Sequence, residues 1–171
     1  AQLMGELPDI WRTELWHPMV VHFPIVLLLG AAVLRTASVF FKKEKQAFLK
    51  NTSRLSLYVG VVTAWIAIYT GSLADSIVVR ELCDPTVLED HENAAFTLGY
   101  LFAFATLLDL IGFIPWDKLS FLKHRFKEWI ILILLISGSI YLGYTAHLGA
   151  SLVYQQGAGV YEPTVGCTEF E

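Results

Sequence analysis

WHPMVVHFPIVLLLGAAVLRTASVFF (residues 16–41) decides the fold. It is apolar nearly all round at helical spacing, where a soluble helix would present a polar face. At 1.5 Å per residue it is long enough to cross the ~30 Å of hydrocarbon in a bilayer. Three further stretches have the same character: about residues 55–79, 91–116 and 128–155, the last opening with Ile130-Ile131-Leu132-Ile133-Leu134-Leu135-Ile136. The expected fold is all-α, a bundle of four transmembrane helices. Residues 1–15 form an outer N-terminal segment, 16–155 the membrane domain and 156–171 an outer C-terminal tail.

Composition agrees. Hydrophobic residues make up 55% of the 171-residue chain and charged residues 16%, where soluble domains carry about 25%. Such a chain is neither disordered nor a nucleic-acid binder, and a soluble enzyme is a poor fit. The net charge of −4 hides an asymmetry. Lys42, Lys43, Lys45, Lys50 and Arg54 lie between spans one and two; Lys118, Lys123, Arg125 and Lys127 lie between spans three and four. The positive-inside rule places both basic connections in the cytoplasm and both termini outside, in a multi-pass membrane protein. The acids Glu81, Asp84, Glu89, Asp90 and Glu92 then face outward. The absence of an initiator Met fits a processed or trimmed start.

Cys83 and Cys167 fall on the same outer side and form no CxxC pair. In an oxidising periplasm a disulfide between them would staple the tail to the second connection. No internal repeat is evident in the sequence.

Ionisable groups within spans are costly, which makes each a functional candidate. His17 and His22 lie at the start of span one, His91 at the start of span three after the N-cap candidate Asp90, and His147 about two turns from the outer end of span four. Alternate crossings bring all four toward the outer face. His124 falls in a basic connection and reads as a solvated residue. Imidazole is a common ligand of haem iron and of other transition metals. Two histidines suffice for a b-type haem; three or four suit a copper, zinc or iron ion. His22 and His147 are the expected axial pair, His91 the next candidate, and His17 a supporting partner. Small residues along these stripes, such as Gly143, Ala94 and Gly99, leave room for a flat ligand, although they equally let helices pack. Asp75 is a candidate supporting acceptor or ligand. Pro24, two residues after His22, removes a donor and should kink span one. Arg35 and Asp109 lie at matching depth near the inner end, so a salt bridge between spans one and three is expected.

His17-Pro18-Met19-Val20-Val21-His22-Phe23-Pro24-Ile25 resembles the "HP-x-x-VHFP" opening of the bacterial membrane family catalogued as domain of unknown function 2231. The run from Leu148 to Val160 resembles its "LGG-x-LVY-x-x-G-x-GV" close, with Ala150 at the second glycine and Gln156 where a histidine is common. The resemblance brackets all four spans. It implies a four-helix membrane domain and, through the family's frequent association with cytochrome c domains, electron transfer; its motif histidines correspond to His17 and His22.

The leading expectation is therefore a redox carrier subunit rather than a stand-alone enzyme. It would hold haem near the outer face and pass electrons between a cytochrome c or another redox membrane subunit and quinone. The alternative is a non-haem metal-binding or purely structural subunit of a larger complex. Four spans without inverted repeats leave little room for a transporter.

Overall fold

The computed structural model describes residues 11–111 and 120–160. The elements are a 3-10 turn at Thr13–Leu15, then α1 (Trp16–Val20), α2 (His22–Ser38), α3 (Lys43–Val78), α4 (Thr86–Ile111) and α5 (Ser120–Tyr154). Four stretches are long and apolar enough to cross a membrane: Thr13–Ser38, Lys43–Val78, Thr86–Ile111 and Phe126–Tyr154. The exterior is correspondingly apolar, with Val26 at 69% and Ile140 at 70% exposure. Such side chains belong against lipid.

Several boundaries differ from the expected ones. The basic segment is not a loop: Lys42 is the extended residue before α3, and residues 43–54 are its opening turns. A helix of that length reaches about 54 Å, well beyond the hydrocarbon, so its lysines stand clear of the membrane core without leaving the helix. The helix α4 begins at Thr86, so Asp90 lies inside it. The capping acid is Asp84, whose Oδ1 accepts from the Thr86 N–H at 3.0 Å and from its hydroxyl at 2.6 Å. Pro18 sits in the first turn of α1. The expected kink is a break at Val21 between α1 and α2. Pro24 cannot donate to the Val20 carbonyl, and its ring crowds that carbonyl, so the helix is interrupted there. The end of the third span at Trp116, Lys118, Cys167 and the tail beyond residue 160 lie outside the described residues.

The packing also corrects the reading that the chain has no repeat. An offset of 74 positions carries His17, Leu28, Ala31 and Arg35 onto His91, Phe102, Ala105 and Asp109. An offset of 78 carries Leu57, Gly60, Ala64, Ala67, Gly71 and Ala74 onto Leu135, Gly138, Leu142, Thr145, Gly149 and Leu152. Leu28, Ala31, Arg35 and Leu57 are buried, and so are their counterparts Phe102, Ala105, Asp109 and Leu135. The contacts repeat as well. Leu28 fills the notch at Gly60, where a Cβ would meet its Cδ2 at 2.7 Å; Phe102 fills the notch at Gly138, where a Cβ would meet its Cε2 at 2.7 Å. Glycine at these positions is what lets each hairpin close. The molecule is thus two similar helical hairpins, α1–α3 and α4–α5. Their joint core includes Leu28, Leu57, Phe102, Ile131 and Leu135.

Equivalent positions meet one another across the hairpins. His17 meets His91, and Arg35 meets Asp109. A contact between equivalent positions marks a two-fold relation. Because it occurs near both ends of the first span (α1–α2) and of α4, the pseudo-two-fold axis runs along the helices, as in parallel rather than inverted membrane repeats.

Candidate functional site

The histidine end of the axis is built by one device used twice. His17 Nδ1 lies 2.8 Å from the Ala67 carbonyl of α3. His91 Nδ1 lies 3.0 Å from the Thr145 carbonyl of α5. A carbonyl inside a helix already accepts from the N–H four residues on, and that residue's side chain crowds the remaining lone pair. Four residues after Ala67 stands Gly71, and four after Thr145 stands Gly149. A Cβ at Gly71 would lie 3.1 Å from His17 Nδ1, and one at Gly149 would lie 3.1 Å from His91 Cε1. Each ring occupies the space that a missing methyl group leaves.

The hydrogen bonds fix the chemistry of the rings. A carbonyl only accepts, so each Nδ1 carries the proton and donates it. In the neutral ring Nε2 then keeps its lone pair. A carbonyl behind the ring also makes the opposite nitrogen a better ligand. The two ring centroids are 6.0 Å apart with the planes at 88°. Both histidines are part-buried.

The structure brings together a different pair from the one favoured on sequence. His22 and His147 are both exposed. His147 is two residues past Thr145, whose side chain is buried. Two residues turn a helix by about 200°, so His147 points away from the interior. His22 lies just past the break at Val21. Among the described residues, no three His, Cys, Asp or Glu side chains form a group that could hold a metal ion. Asp75 is part-buried one turn beyond Gly71, on the face of α3 that receives His17. Cys83 is exposed, and its pairing with Cys167 falls outside the described residues. The glycines and carbonyls that hold the rings were not found by sequence reasoning; the spacing of Gly60 and Gly71, repeated in Gly138 and Gly149, was the available signal.

The opposite end of the axis, ~27 Å away at 1.5 Å per residue, is ionic. The Arg35 Nη2 donates to Asp109 Oδ1 at 3.0 Å and to Glu128 Oε1 at 3.2 Å. The second oxygen of Asp109 accepts from Arg54 Nε at 2.9 Å and from the Tyr58 hydroxyl at 2.6 Å. Lys50 Nζ lies 2.8 Å from Glu128 Oε2. The expected Arg35–Asp109 bridge is present, and three side chains that the sequence did not suggest, Arg54, Tyr58 and Glu128, enclose it. Arg35 and Asp109 are 3% and 1% exposed, so Asp109 survives there only because its charge is matched and both oxygens are hydrogen-bonded.

No curated protein and no solved structure matches the chain. A family model described as "predicted membrane protein (DUF2231)" matches residues 15–162. That span takes in all four membrane helices, the histidine pair and the ionic cluster, and the chain belongs to this family of membrane proteins.

Proposed function

We propose that this protein is an integral membrane electron-transfer subunit in which His17 and His91 together hold one b-type haem. The basic end of the bundle faces the cytoplasm and the histidine end the periplasm, by the positive-inside rule. The observation that carries the reading is the meeting of two equivalent imidazoles on the pseudo-two-fold axis, each with Nδ1 tied to a helix carbonyl. A porphyrin supplies four nitrogens itself, so two imidazoles complete its iron, whereas zinc usually takes three or four protein ligands. The donor set therefore fits haem better than it fits a bare ion.

When bound, haem supplies one-electron exchange. The chain's own residues bind and orient. The Ala67 and Thr145 carbonyls hold the tautomer, Gly71 and Gly149 set the depth of each ring, and the apolar helices exclude water. A periplasmic cytochrome c or another redox subunit would approach the exposed end where His22 and His147 lie, with quinone in the membrane as the other partner.

A second reading rests on the same hydrogen bonds. His17 ties the first span to α3 and His91 ties α4 to α5, and an edge-on ring contact at 6.0 Å is stabilising without any metal. In that case the protein is a structural subunit. A reduced-minus-oxidised visible spectrum of purified, haem-supplied protein separates the two. Soret and alpha bands are expected; their complete absence would leave the structural reading.

A further inference from the structure

The two imidazoles are held alike but not identically, and the difference lies in the carbonyls behind them. The Ala67 oxygen accepts from His17 Nδ1 at 2.8 Å and from the Thr70 hydroxyl at 3.0 Å. As a carbonyl inside α3 it also accepts from the Gly71 N–H. Three donors thus converge on an oxygen with two lone pairs. The Thr145 oxygen of α5 accepts from His91 Nδ1 at 3.0 Å and, by the same helical rule, from the Gly149 N–H. The offset of 78 that relates α3 to α5 carries Thr70 onto Leu148, which has no hydroxyl to add.

A helical threonine can turn its hydroxyl to the carbonyl three or four residues back. Thr145 takes the fourth, donating to the Tyr141 carbonyl at 2.9 Å. Thr70 takes the third, which is Ala67. Thr70 is buried, so its hydroxyl depends on acceptors within the protein. The length of each histidine bond is set by how far the ring sinks over Gly71 or Gly149. Its strength is set by what else the oxygen serves, because a carbonyl already shared is a weaker acceptor.

We infer that Thr70 is a positioning residue that makes the two histidines unequal ligands, by drawing part of the Ala67 lone-pair density away from His17. The bond behind an imidazole raises the basicity of its opposite nitrogen. His91, whose acceptor is not shared with a hydroxyl, is then the stronger ligand and His17 the weaker. Where it concerns haem the inference rests on the proposed function, and there hydrogen bonding to an axial ligand is one lever on the reduction potential. The competition for Ala67 itself belongs to the haem-free protein.

Histidine side-chain NMR of the haem-free, 15N-histidine-labelled full chain in detergent tests the competition, with each Nδ1–H signal assigned by its loss in His17→Ala or His91→Ala. Thr70→Val keeps the shape and removes the hydroxyl. It should move the His17 Nδ1–H signal downfield, as its bond strengthens, and leave His91 in place. Thr70→Ser keeps the hydroxyl and should hold the His17 signal near its original position. Leu148→Thr installs the missing hydroxyl in the other hairpin and should move the His91 signal upfield. An unmoved His17 signal in Thr70→Val overturns the inference, and so does an equal movement in Thr70→Ser, which would make shape rather than the hydroxyl the cause. If Thr70→Val does not fold, Leu148→Thr decides alone, and an unmoved His91 signal then overturns it. In haem-supplied protein the reduction potential should fall in Thr70→Val and rise in Leu148→Thr; unchanged potentials in both overturn the claim that the hydroxyl tunes the ligands. Failure to take up haem overturns the proposed function instead, while the haem-free spectra still decide the competition.

Discussion

The two ends of the pseudo-two-fold axis solve the same packing problem with opposite chemistry. At one end equivalent positions carry the same residue, His17 and His91. At the other they carry complementary charges, Arg35 and Asp109. Complementary charges attract each other directly: Arg35 and Asp109 pair once the hairpins meet, and Tyr58, Arg54 and Glu128 add hydrogen bonds to the pair. Identical imidazoles do not satisfy each other in this way. Each has one nitrogen committed to a carbonyl and one lone pair to offer, which suits two ligands sharing a third body. The ionic end therefore reads as scaffold and the histidine end as the candidate site.

The ionic end should carry the largest stability effect. Asp109→Ala leaves Arg35 buried without its carboxylate and should cost about 3–5 kcal/mol, measured by denaturant titration in mixed micelles. Exchanging the two residues as Arg35→Asp with Asp109→Arg should not restore stability. The new arginine would face Arg54, and the new aspartate would face Glu128. Full recovery in the exchange would show that the surrounding asymmetry is unimportant.

The glycine notches come next. Gly138→Ala pushes a methyl group to 2.7 Å from a ring carbon of the fully buried Phe102, and an overpacking cost of about 1–3 kcal/mol is expected. Gly60→Ala meets Leu28 at the same distance, but a Leu terminus yields more readily than a buried ring, so its cost should be smaller. The reverse order in thermal melts would break the equivalence of the two hairpins.

Smaller still in stability are the notches under the histidines. In Gly71→Ala and Gly149→Ala, about 1 kcal/mol gained in helix propensity offsets the crowding of the ring, so net stability should move by no more than about 1 kcal/mol. The ring itself should move, and histidine side-chain NMR shifts of His17 or His91 respectively are the readout. His22→Ala and His147→Ala should change stability by less than about 0.5 kcal/mol, since both side chains are exposed.

The sequence was legible where single helices decide the outcome. Apolar length gave the four spans, and matching depth gave Arg35–Asp109. It was less legible where two helices must be set against each other. His17, His22, His91 and His147 all lie toward one end, but depth does not say which face of a helix a side chain occupies. Rotation about the helix axis separates the buried Thr145 from the exposed His147 only two residues away. The repeat was hidden for a related reason: what it preserves is burial and notch geometry, with Leu28 replaced by Phe102 and Arg35 by Asp109, and few identities survive to be read.

The proposed function requires that His17 and His91 act as one pair. The direct measurement is the reduced-minus-oxidised spectrum of haem-supplied protein for His17→Ala, His91→Ala, His22→Ala and His147→Ala. Loss or a shift of the bands in the first two, with unchanged bands in the last two, is the predicted result. Bands that survive both His17→Ala and His91→Ala but vanish in His22→Ala or His147→Ala would contradict it.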